Sequence, residues 1–451
     1  MIDPDVWWQM RTGEWILQHH HVPRTDPFSI TGAGHAWVAY SWPFGVLMHL
    51  IARNWDLLGI VAFTIGSWMV LTAALWWLLR AVVRDFWISA VLTGIGGVVL
   101  ERVVMPRVGN FTILFFIFIF RILIVSRNRS FPKEGKDRAP VSLFLVPVMV
   151  WLWANVHLQF VYGLALIGAF AVEGLVWPRW GRMYAVRLWI TLLASTVVTA
   201  ITPYGLGPWR TIREFMQQPK LYVYSLELHA MSFELAVHKI VLLLSLAAAM
   251  ALGAMKTKQP VWFLLLVFAA VQGFRSERDI WLLAVISLTV IGTWWAERSP
   301  GEDTVPRSVW LGAAACVLVV LAYCFKTAPS NRELMGRVAR QMPVGAVAFI
   351  HEHHLQGPIF NNFDWGGFLI YALPEFPVSV DGRTNVHGQD ELEHSMDTWN
   401  LMGNWHDDPL LVNANLVIGS PKFALTHALR LDPRWEMVFN DGVGVVYKRT
   451  K

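Results

Sequence analysis

The sequence predicts an α-helical polytopic membrane protein of about 10 transmembrane helices, followed by a small α/β domain. Of its 451 residues, 55% are hydrophobic and 15% are charged, whereas a soluble domain carries about 25% charged residues. The mean hydropathy is +0.44. The 25 tryptophans exceed the needs of a soluble core and suit aromatic belts at the two membrane interfaces.

Ten apolar runs are long enough to cross a bilayer core of about 30 Å, some of them only as short or tilted helices. They lie near residues 57–79, 87–104, 110–126, 140–155, 158–177, 188–203, 235–255, 260–274, 280–296 and 308–326. The apolar run 41–52 is too short and suits a half-helix or an interfacial piece. We therefore expect three parts: a first outer loop with the acidic motif and interfacial helices (1–56), a transmembrane helical domain (57–326) and a soluble extracytoplasmic α/β domain (327–451).

Lysine and arginine fall on alternate loops, and such loops stay in the cytoplasm. The basic loops are 80–84, 121–138, 179–187 and 256–258. The opposite, outer side then receives the N-terminal segment, the loop 204–233 and everything after residue 327. The net charge of +5 therefore indicates topology and not a nucleic-acid partner. Because ten spans would place both termini outside, we also expect one more helix before Met1.

An acidic and aromatic motif, Asp3-Pro4-Asp5-Val6-Trp7-Trp8, stands at the start of the chain. Asp3 and Asp5 suit a general base or a divalent cation, Mg²⁺ or Mn²⁺. Trp7 and Trp8 suit contact with a lipid-borne substrate at the headgroup level. The alternative is a loop that only anchors the first helix. We expect the two carboxylates on different faces of an extended segment.

The C-terminal segment alternates helical and strand patterns. Helices are expected at 332–341, 346–353 and 390–402, and strands at 357–360, 377–380, 414–418, 435–439 and 444–447. Asp364-Trp365-Gly366-Gly367 and Asp381-Gly382-Arg383 indicate tight turns in which glycine tolerates positive φ. Residues 366–373 also suit a helix near the membrane surface.

These residues resemble outer loops of a bacterial branch of the GT-C glycosyltransferase superfamily. The first loop carries the acidic motif with Thr12-Gly13-Glu14-Trp15, Pro23-Arg24-Thr25-Asp26-Pro27-Phe28-Ser29 and Trp37. Later matching pieces are Pro106-Arg107, Asn155-Val156-His157, Pro203-Tyr204-Gly205, Glu227, Arg275 to Arg278, Asn362 to Gly367 and Asp381-Gly382-Arg383. The resemblance covers nearly the whole chain. Similarity to protein mannosyltransferases and the lipid A aminoarabinose transferase rests on topology and the early acidic motif.

The resemblance implies an enzyme of the cytoplasmic (inner) membrane that transfers a sugar from a polyprenyl-phosphate donor to a glycan, lipid or protein acceptor. Asp3 or Asp5 would take the proton of an acceptor hydroxyl or hold the metal ion. The arginines expected at the lipid phosphate are Arg102, Arg107, Arg275 and Arg278. An arginine at a helix end more often extends to the lipid headgroups.

His157 and Glu227 are further candidates for acid–base chemistry or for placing the acceptor. A histidine whose hydrogen bonds are satisfied at the interface, and a solvated glutamate, are the alternatives. Two other functions stay open. A transporter would need ionisable residues near mid-membrane and internal repeats, and the spans show few such charges. A non-catalytic envelope protein with a binding tail would leave the acidic and arginine residues of the outer loops unexplained.

Overall fold

A computed structural model gives the structure of the protein and describes residues 3–129, 141–177, 181–218, 228–299 and 305–450. The chain divides into two compact units. Residues 1–62, 207–221 and 329–451 form the first, which we call the tail unit. Residues 63–206 and 222–328 form the second, the membrane unit. The expected three-part division stays a prediction.

The described helices follow the chain in the order that the apolar runs predict. They are α1 (Asp5–His19), α2 (Trp42–Leu79), α3 (Phe86–Val103), α4 (Gly109–Arg129), α5 (Leu145–Ala154), α6 (Phe160–Val176), α7 (Arg182–Val198), α8 (Gly207–Met216), α9 (Ala236–Ala254), α10 (Pro260–Arg275), α11 (Ile280–Ala296), α12 (Arg307–Lys326), α13 (Asn331–Val338), α14 (Val344–Glu352), α15 (Phe363–Ala372), α16 (Thr384–Trp399), α17 (Pro409–Asn413) and α18 (Ala424–Leu429). Short 3₁₀ turns occur at Val141–Phe144, Glu277–Asp279 and Trp405–Asp407.

Within the described ranges, six helices are long and apolar enough to cross a membrane by length and composition, and further apolar helices are shorter. The chain is therefore a multi-pass membrane protein, as the sequence predicts. The short run near 41–52 forms the start of α2, which contains a break at Asp56 with φ 50° and ψ −143°. The break at Asp56 separates this short run from the longer second part of α2; the expectation of a half-helix or an interfacial piece stays a prediction.

Helix α11 lies in the core of the membrane unit. Every residue from Ile280 to Val290 is buried, because a helix that is apolar on all sides belongs in the interior. It packs against α3, α9 and α10. Outward-facing apolar side chains of other helices, such as Leu243 and Phe263, are exposed, as expected where lipid replaces water.

The tail unit contains a four-stranded sheet in the order β1-β2-β4-β3. Its strands are β1 (Ile359–Asn361), β2 (Leu416–Gly419), β3 (Trp435–Asn440) and β4 (Val445–Arg449). β1 pairs with β2 in parallel, and the other neighbours are antiparallel. Phe360, Trp399, Val417 and Tyr447 belong to the core beneath the sheet. The predicted α/β domain is confirmed.

Two of the elements expected in the C-terminal segment differ in the structure. Residues 377–380 form no strand of the sheet; instead, Val378 exchanges backbone hydrogen bonds with the loop between α1 and α2, at Phe28 O and Ile30 N. Residues 364–367 lie inside helix α15 and not in a turn, which agrees with the alternative of a helix at 366–373. A glycine is needed at position 366 of this helix because a Cβ there would overlap Val380 O.

Helix α8 also packs on the C-terminal segment. It contacts α16, and Phe215 lies against Val380 and Leu392. Helix α1 contacts α15 in the same unit. The N-terminal segment, α8 and the C-terminal segment therefore belong to one compact unit.

Candidate functional site

The acidic motif begins helix α1. Pro4 takes helical angles, φ −58° and ψ −28°, and Asp3 Oδ1 accepts a hydrogen bond from Asp5 N at 2.9 Å. The expected extended segment is therefore wrong, because proline and an acidic side chain both suit the first turn of a helix. Asp3 is 2% exposed and satisfies a backbone donor at the helix start. Asp5 is partly exposed and accepts from Trp8 Nε1 at 3.1 Å.

The two tryptophans of the motif are buried in the tail unit. The Trp7 ring lies 5.1 Å from that of Phe368, edge to face, and 5.4 Å from that of Tyr371. Both partners belong to α15. Trp7 is 1% exposed and Trp8 is 8% exposed. Their contribution in this structure is packing between α1 and α15, and contact with a lipid-borne substrate stays a prediction.

A fully buried charge network lies in the same unit. Arg383 Nη1 is 2.5 Å from Asp26 Oδ1, and Arg383 Nη2 is 2.6 Å from Asp381 Oδ2. His387 Nε2 contacts Asp381 Oδ2 at 2.9 Å. Burial alone would raise the pKa of Asp381, but the charge of Arg383 and the contact with His387 outweigh it and hold that pKa below its ordinary value. Each charge of the network is thus compensated.

Arg278 and His157 are in direct contact in the membrane unit. Arg278 Nη2 lies 2.9 Å from His157 Nε2. Arginine can only donate, so Nε2 is the accepting nitrogen and Nδ1 carries the ring hydrogen. That nitrogen donates to Thr112 Oγ1 at 2.7 Å, which also accepts from Trp153 Nε1 at 3.0 Å. Burial and then the charge of Arg278 lower the pKa of His157 well below 6.5.

The neutral His157 therefore acts as a fixed acceptor that orients the guanidinium of Arg278. It is 2% exposed, and both ring nitrogens have partners. Of the sequence-based alternatives, the structure matches the satisfied histidine near a helix end. Its placement between α5 and α6 follows from the Asn155-Val156-His157 break in the apolar pattern.

Asp279, the residue after Arg278, links the loop that contains Arg278 to the segment that follows His157. Asp279 is 6% exposed and accepts hydrogen bonds from Gln159 Nε2 at 2.8 Å and from the Tyr162 hydroxyl at 2.9 Å. These bonds join the start of α11 to the start of α6. The two chain segments that contain His157 and Arg278 are therefore joined both by the His157–Arg278 contact and by the hydrogen bonds of Asp279.

Arg107 lies close enough to Arg278 for their charges to interact. Burial, with a further contribution from Arg278, lowers the pKa of Arg107 to about 10. Arg107 therefore stays cationic at neutral pH. A phosphate that contacted both guanidinium groups would accept charge-assisted hydrogen bonds from each of them. The structure thus brings two of the predicted residues, His157 and Arg278, into direct contact, and Arg107 lies within electrostatic reach of Arg278.

The other predicted cations have different surroundings. Arg102 forms a 3.9 Å ion pair with Glu277 and its side chain is 43% exposed. Glu277 Oε1 also lies 3.6 Å from the buried His238. Arg275 ends helix α10 and is exposed. Glu227, the second predicted carboxylate of the outer loops, lies outside the described residues.

The predicted metal ligands give an incomplete site. Among the described residues, no three His, Cys, Asp or Glu side chains converge as a metal site would require. Asp3 is committed to the helix start, which leaves Asp5 as the carboxylate suited to a hard cation that keeps several waters.

Several residues of these clusters were not selected from the sequence, among them Asp26, Thr112, Asp279 and Asp381. Asp26 and Asp381 occur within quoted motifs, and Asp279 follows Arg278 directly. An aspartate inside a largely apolar or aromatic segment is itself a signal, because an isolated buried carboxylate is costly. The sequence does not show which residue pairs with such an aspartate, however, since Asp26 and Arg383 are 357 positions apart.

The structure is similar to solved structures of the oligosaccharyltransferase AglB of Archaeoglobus fulgidus. The complex with an inhibitory peptide and a dolichol-phosphate matches 99% of this chain and 70% of that chain, with a TM-score of 0.55 and 10% identity. The structure tethered to an acceptor peptide with the NVT sequon and the apo structure each match 92% of this chain, with a TM-score of 0.52 and 10% identity. The chain spans 65% of the length of these two.

The sequence matches no protein-family model and no curated protein sequence. At 10% identity the structural likeness concerns the fold, and fold alone does not fix activity. The likeness extends over membrane helices and C-terminal segment alike, so it agrees with the resemblance found in the sequence. The chain therefore shares the fold of these AglB structures, that of a polytopic membrane protein with a C-terminal domain.

Proposed function

We propose that this chain is a membrane glycosyltransferase that transfers a sugar from a polyprenyl-phosphate donor to an acceptor outside the cytoplasm. The observation that carries the proposal is the contact of Arg278 with His157, which orients the guanidinium; Arg107 lies within electrostatic reach of Arg278. Paired guanidinium groups suit a lipid-borne phosphate. The shared fold supports the same class of reaction, because the AglB complex contains a dolichol-phosphate.

In the proposed reaction, Asp5 takes the proton of an acceptor hydroxyl. The acceptor oxygen forms a bond to the anomeric carbon while the bond from that carbon to the phosphate oxygen breaks. The electron pair leaves with the phosphate, and Arg107 and Arg278 stabilise the developing charge. As an alternative use of Asp5, the carboxylate would bind Mg²⁺ or Mn²⁺ together with water.

The acceptor is proposed only as a class: a glycan, lipid or protein with a nucleophilic group. The AglB structure with a tethered acceptor peptide is consistent with acceptors as large as a peptide. We further propose that the protein lies in the cytoplasmic membrane with its C-terminal segment outside, as the distribution of basic loops indicates.

The test is transfer in proteoliposomes across a panel of polyprenyl-phosphate sugars. Asp5→Asn keeps the size but removes the base, so kcat should fall about 100-fold or more while the protein stays folded. Asp3→Asn should act mainly on stability, because Asp3 supports the helix start. Asp407→Asn, at an exposed aspartate of the same unit, is the matched control and should keep full activity.

Two results would count against the proposal. Equal turnover by the wild type and the Asp3/Asp5 double variant would remove the assignment of the acidic motif. Consumption of no donor in the panel would favour the non-catalytic envelope protein, in which these residues serve the fold alone.

A further inference from the structure

Gly382 lies directly beside the acidic motif. A Cβ placed on Gly382 would be 2.6 Å from Asp5 Oδ1 and 3.8 Å from Trp8 Nε1. We expected glycine here for positive φ, and that expectation is wrong, since Gly382 is not among the glycines with positive φ. Glycine is instead required by the space that the Asp5 carboxylate occupies.

A second glycine approaches the motif from helix α15. A Cβ placed on Gly367 would lie 3.0 Å from Pro4 O and 3.1 Å from Trp8 Cδ1. Two elements of the C-terminal segment therefore limit the space around the start of α1. Gly367 approaches the backbone of the acidic motif at Pro4 O, whereas Gly382 approaches the carboxylate of Asp5.

The turn that carries Gly382 is fixed on both sides. Asp381 and Arg383 are buried, and Arg383 N donates to Asp381 Oδ1 at 2.9 Å. The same two side chains take part in the network with Asp26 and His387. Moving this turn would disrupt several buried charge contacts, whereas the end of the Asp5 side chain can rotate. A methyl group on residue 382 would therefore displace the carboxylate and leave the turn in place.

We propose that Gly382 is a positioning residue that fixes the orientation of the Asp5 carboxylate, so that the C-terminal segment controls turnover without touching substrate. This inference rests on the proposed function, in which Asp5 is the base. It gives the Asp381-Gly382-Arg383 turn a part in catalysis.

The first measurement does not depend on activity. With ¹⁵N-labelled indoles, the Trp8 signal is assigned through Trp8→Phe. In Gly382→Ala this signal should shift toward its position in Asp5→Ala, because the displaced carboxylate no longer accepts from Trp8 Nε1. Gly336→Ala is the matched control, since a Cβ at this helical glycine of the same unit meets nothing within 4 Å; it should leave the signal unchanged.

The second measurement separates positioning from binding. Gly382→Ala should lower kcat about 10-fold or more, because small misplacements of a reacting group are costly. The KM for the donor should stay within about 2-fold. The thermal midpoint should match that of Gly336→Ala, because the group that must move is the end of a flexible side chain.

The outcomes keep the two proposals distinguishable. An unmoved Trp8 signal, or a moved signal with unchanged kcat in an enzyme that requires Asp5, would overturn the positioning role. A moved signal in a protein whose Asp5→Asn variant keeps full turnover would overturn the assignment of Asp5 as the base. A moved signal together with a lower kcat and a steady KM supports the inference.

Discussion

Asp26 and Arg383 form a fully buried ion pair at 2.5 Å although 357 positions separate them in the chain. Arg383 also stacks on Phe28 and Trp37, with its guanidinium carbon 5.1 Å and 4.7 Å from their ring centroids. All three partners belong to the loop between α1 and α2. The C-terminal segment therefore completes its interior with residues from the other end of the chain.

This pair predicts a large effect on stability. Asp26→Asn leaves part of the charge of a buried arginine without its partner, and breaking such a pair costs about 3–5 kcal/mol. The thermal midpoint in detergent should fall clearly. Glu375→Gln breaks an exposed pair with His351, whose side chains are 51% and 43% exposed, and should cost at most about 1 kcal/mol. Similar midpoints for both variants would contradict the argument.

Local sequence patterns predicted most elements of the fold. Hydrophobic runs predicted the positions of the apolar helices, because a long run of apolar residues with few charges is typical of a membrane-spanning helix. The C-terminal helices and most strands followed from periodicity. The error at residues 377–380 arose because Val378 pairs with Phe28 and Ile30, a partnership between distant parts of the chain that no local pattern contains.

The glycines show the same limit. Gly366 and Gly382 were expected in tight turns, since glycine is common at positive φ. Their actual reason is close approach, to Val380 O for Gly366 and to Asp5 Oδ1 for Gly382. Residue types did indicate Arg107, His157 and Arg278 as candidates. The sequence could not show that Arg278 contacts His157, because the two residues lie in different loops.

Arg278 gives a prediction for donor binding. Arg278→Lys keeps the charge but loses the planar group that contacts His157 and suits a phosphate. The loss of one charge-assisted hydrogen bond should raise the KM for the polyprenyl-phosphate donor about 10-fold. Initial rates in proteoliposomes measure this. Arg84→Lys, at an exposed arginine of a basic loop, serves as the control, and an equal KM in both variants would remove Arg278 from the phosphate site.

Membrane orientation is tested by thiol labelling. In a background with Cys316→Ser and Cys324→Ser, Asn404→Cys on the tail unit should react with an impermeant reagent in intact cells. Arg84→Cys, in a basic loop expected in the cytoplasm, should be protected until the cells are opened. Both positions are exposed, so a permeant reagent should label both. The reverse pattern would place the acidic motif in the cytoplasm and contradict an extracytoplasmic acceptor.

The last prediction concerns pH and follows from the neutral state of His157. Its pKa in the folded protein lies well below 6.5 because of burial and the charge of Arg278, whereas the unfolded chain titrates near 6.5. Below about pH 6.5 the unfolded chain therefore binds the proton more readily. The contribution of His157 to the free energy of unfolding is therefore at its full value above about pH 7. It decreases as the pH falls through 6.5 toward the pKa of His157 in the folded protein.

His157→Gln removes the titration yet keeps one neutral acceptor for Arg278 and one donor for Thr112. The thermal midpoint of the wild type should drop more steeply between pH 7 and pH 5 than that of the variant. His427→Gln removes an exposed histidine of the tail unit and should retain the wild-type slope. If His157→Gln instead follows the wild-type curve over this range, then His157 is not held neutral by Arg278, and its role as the fixed acceptor that orients Arg278 is lost.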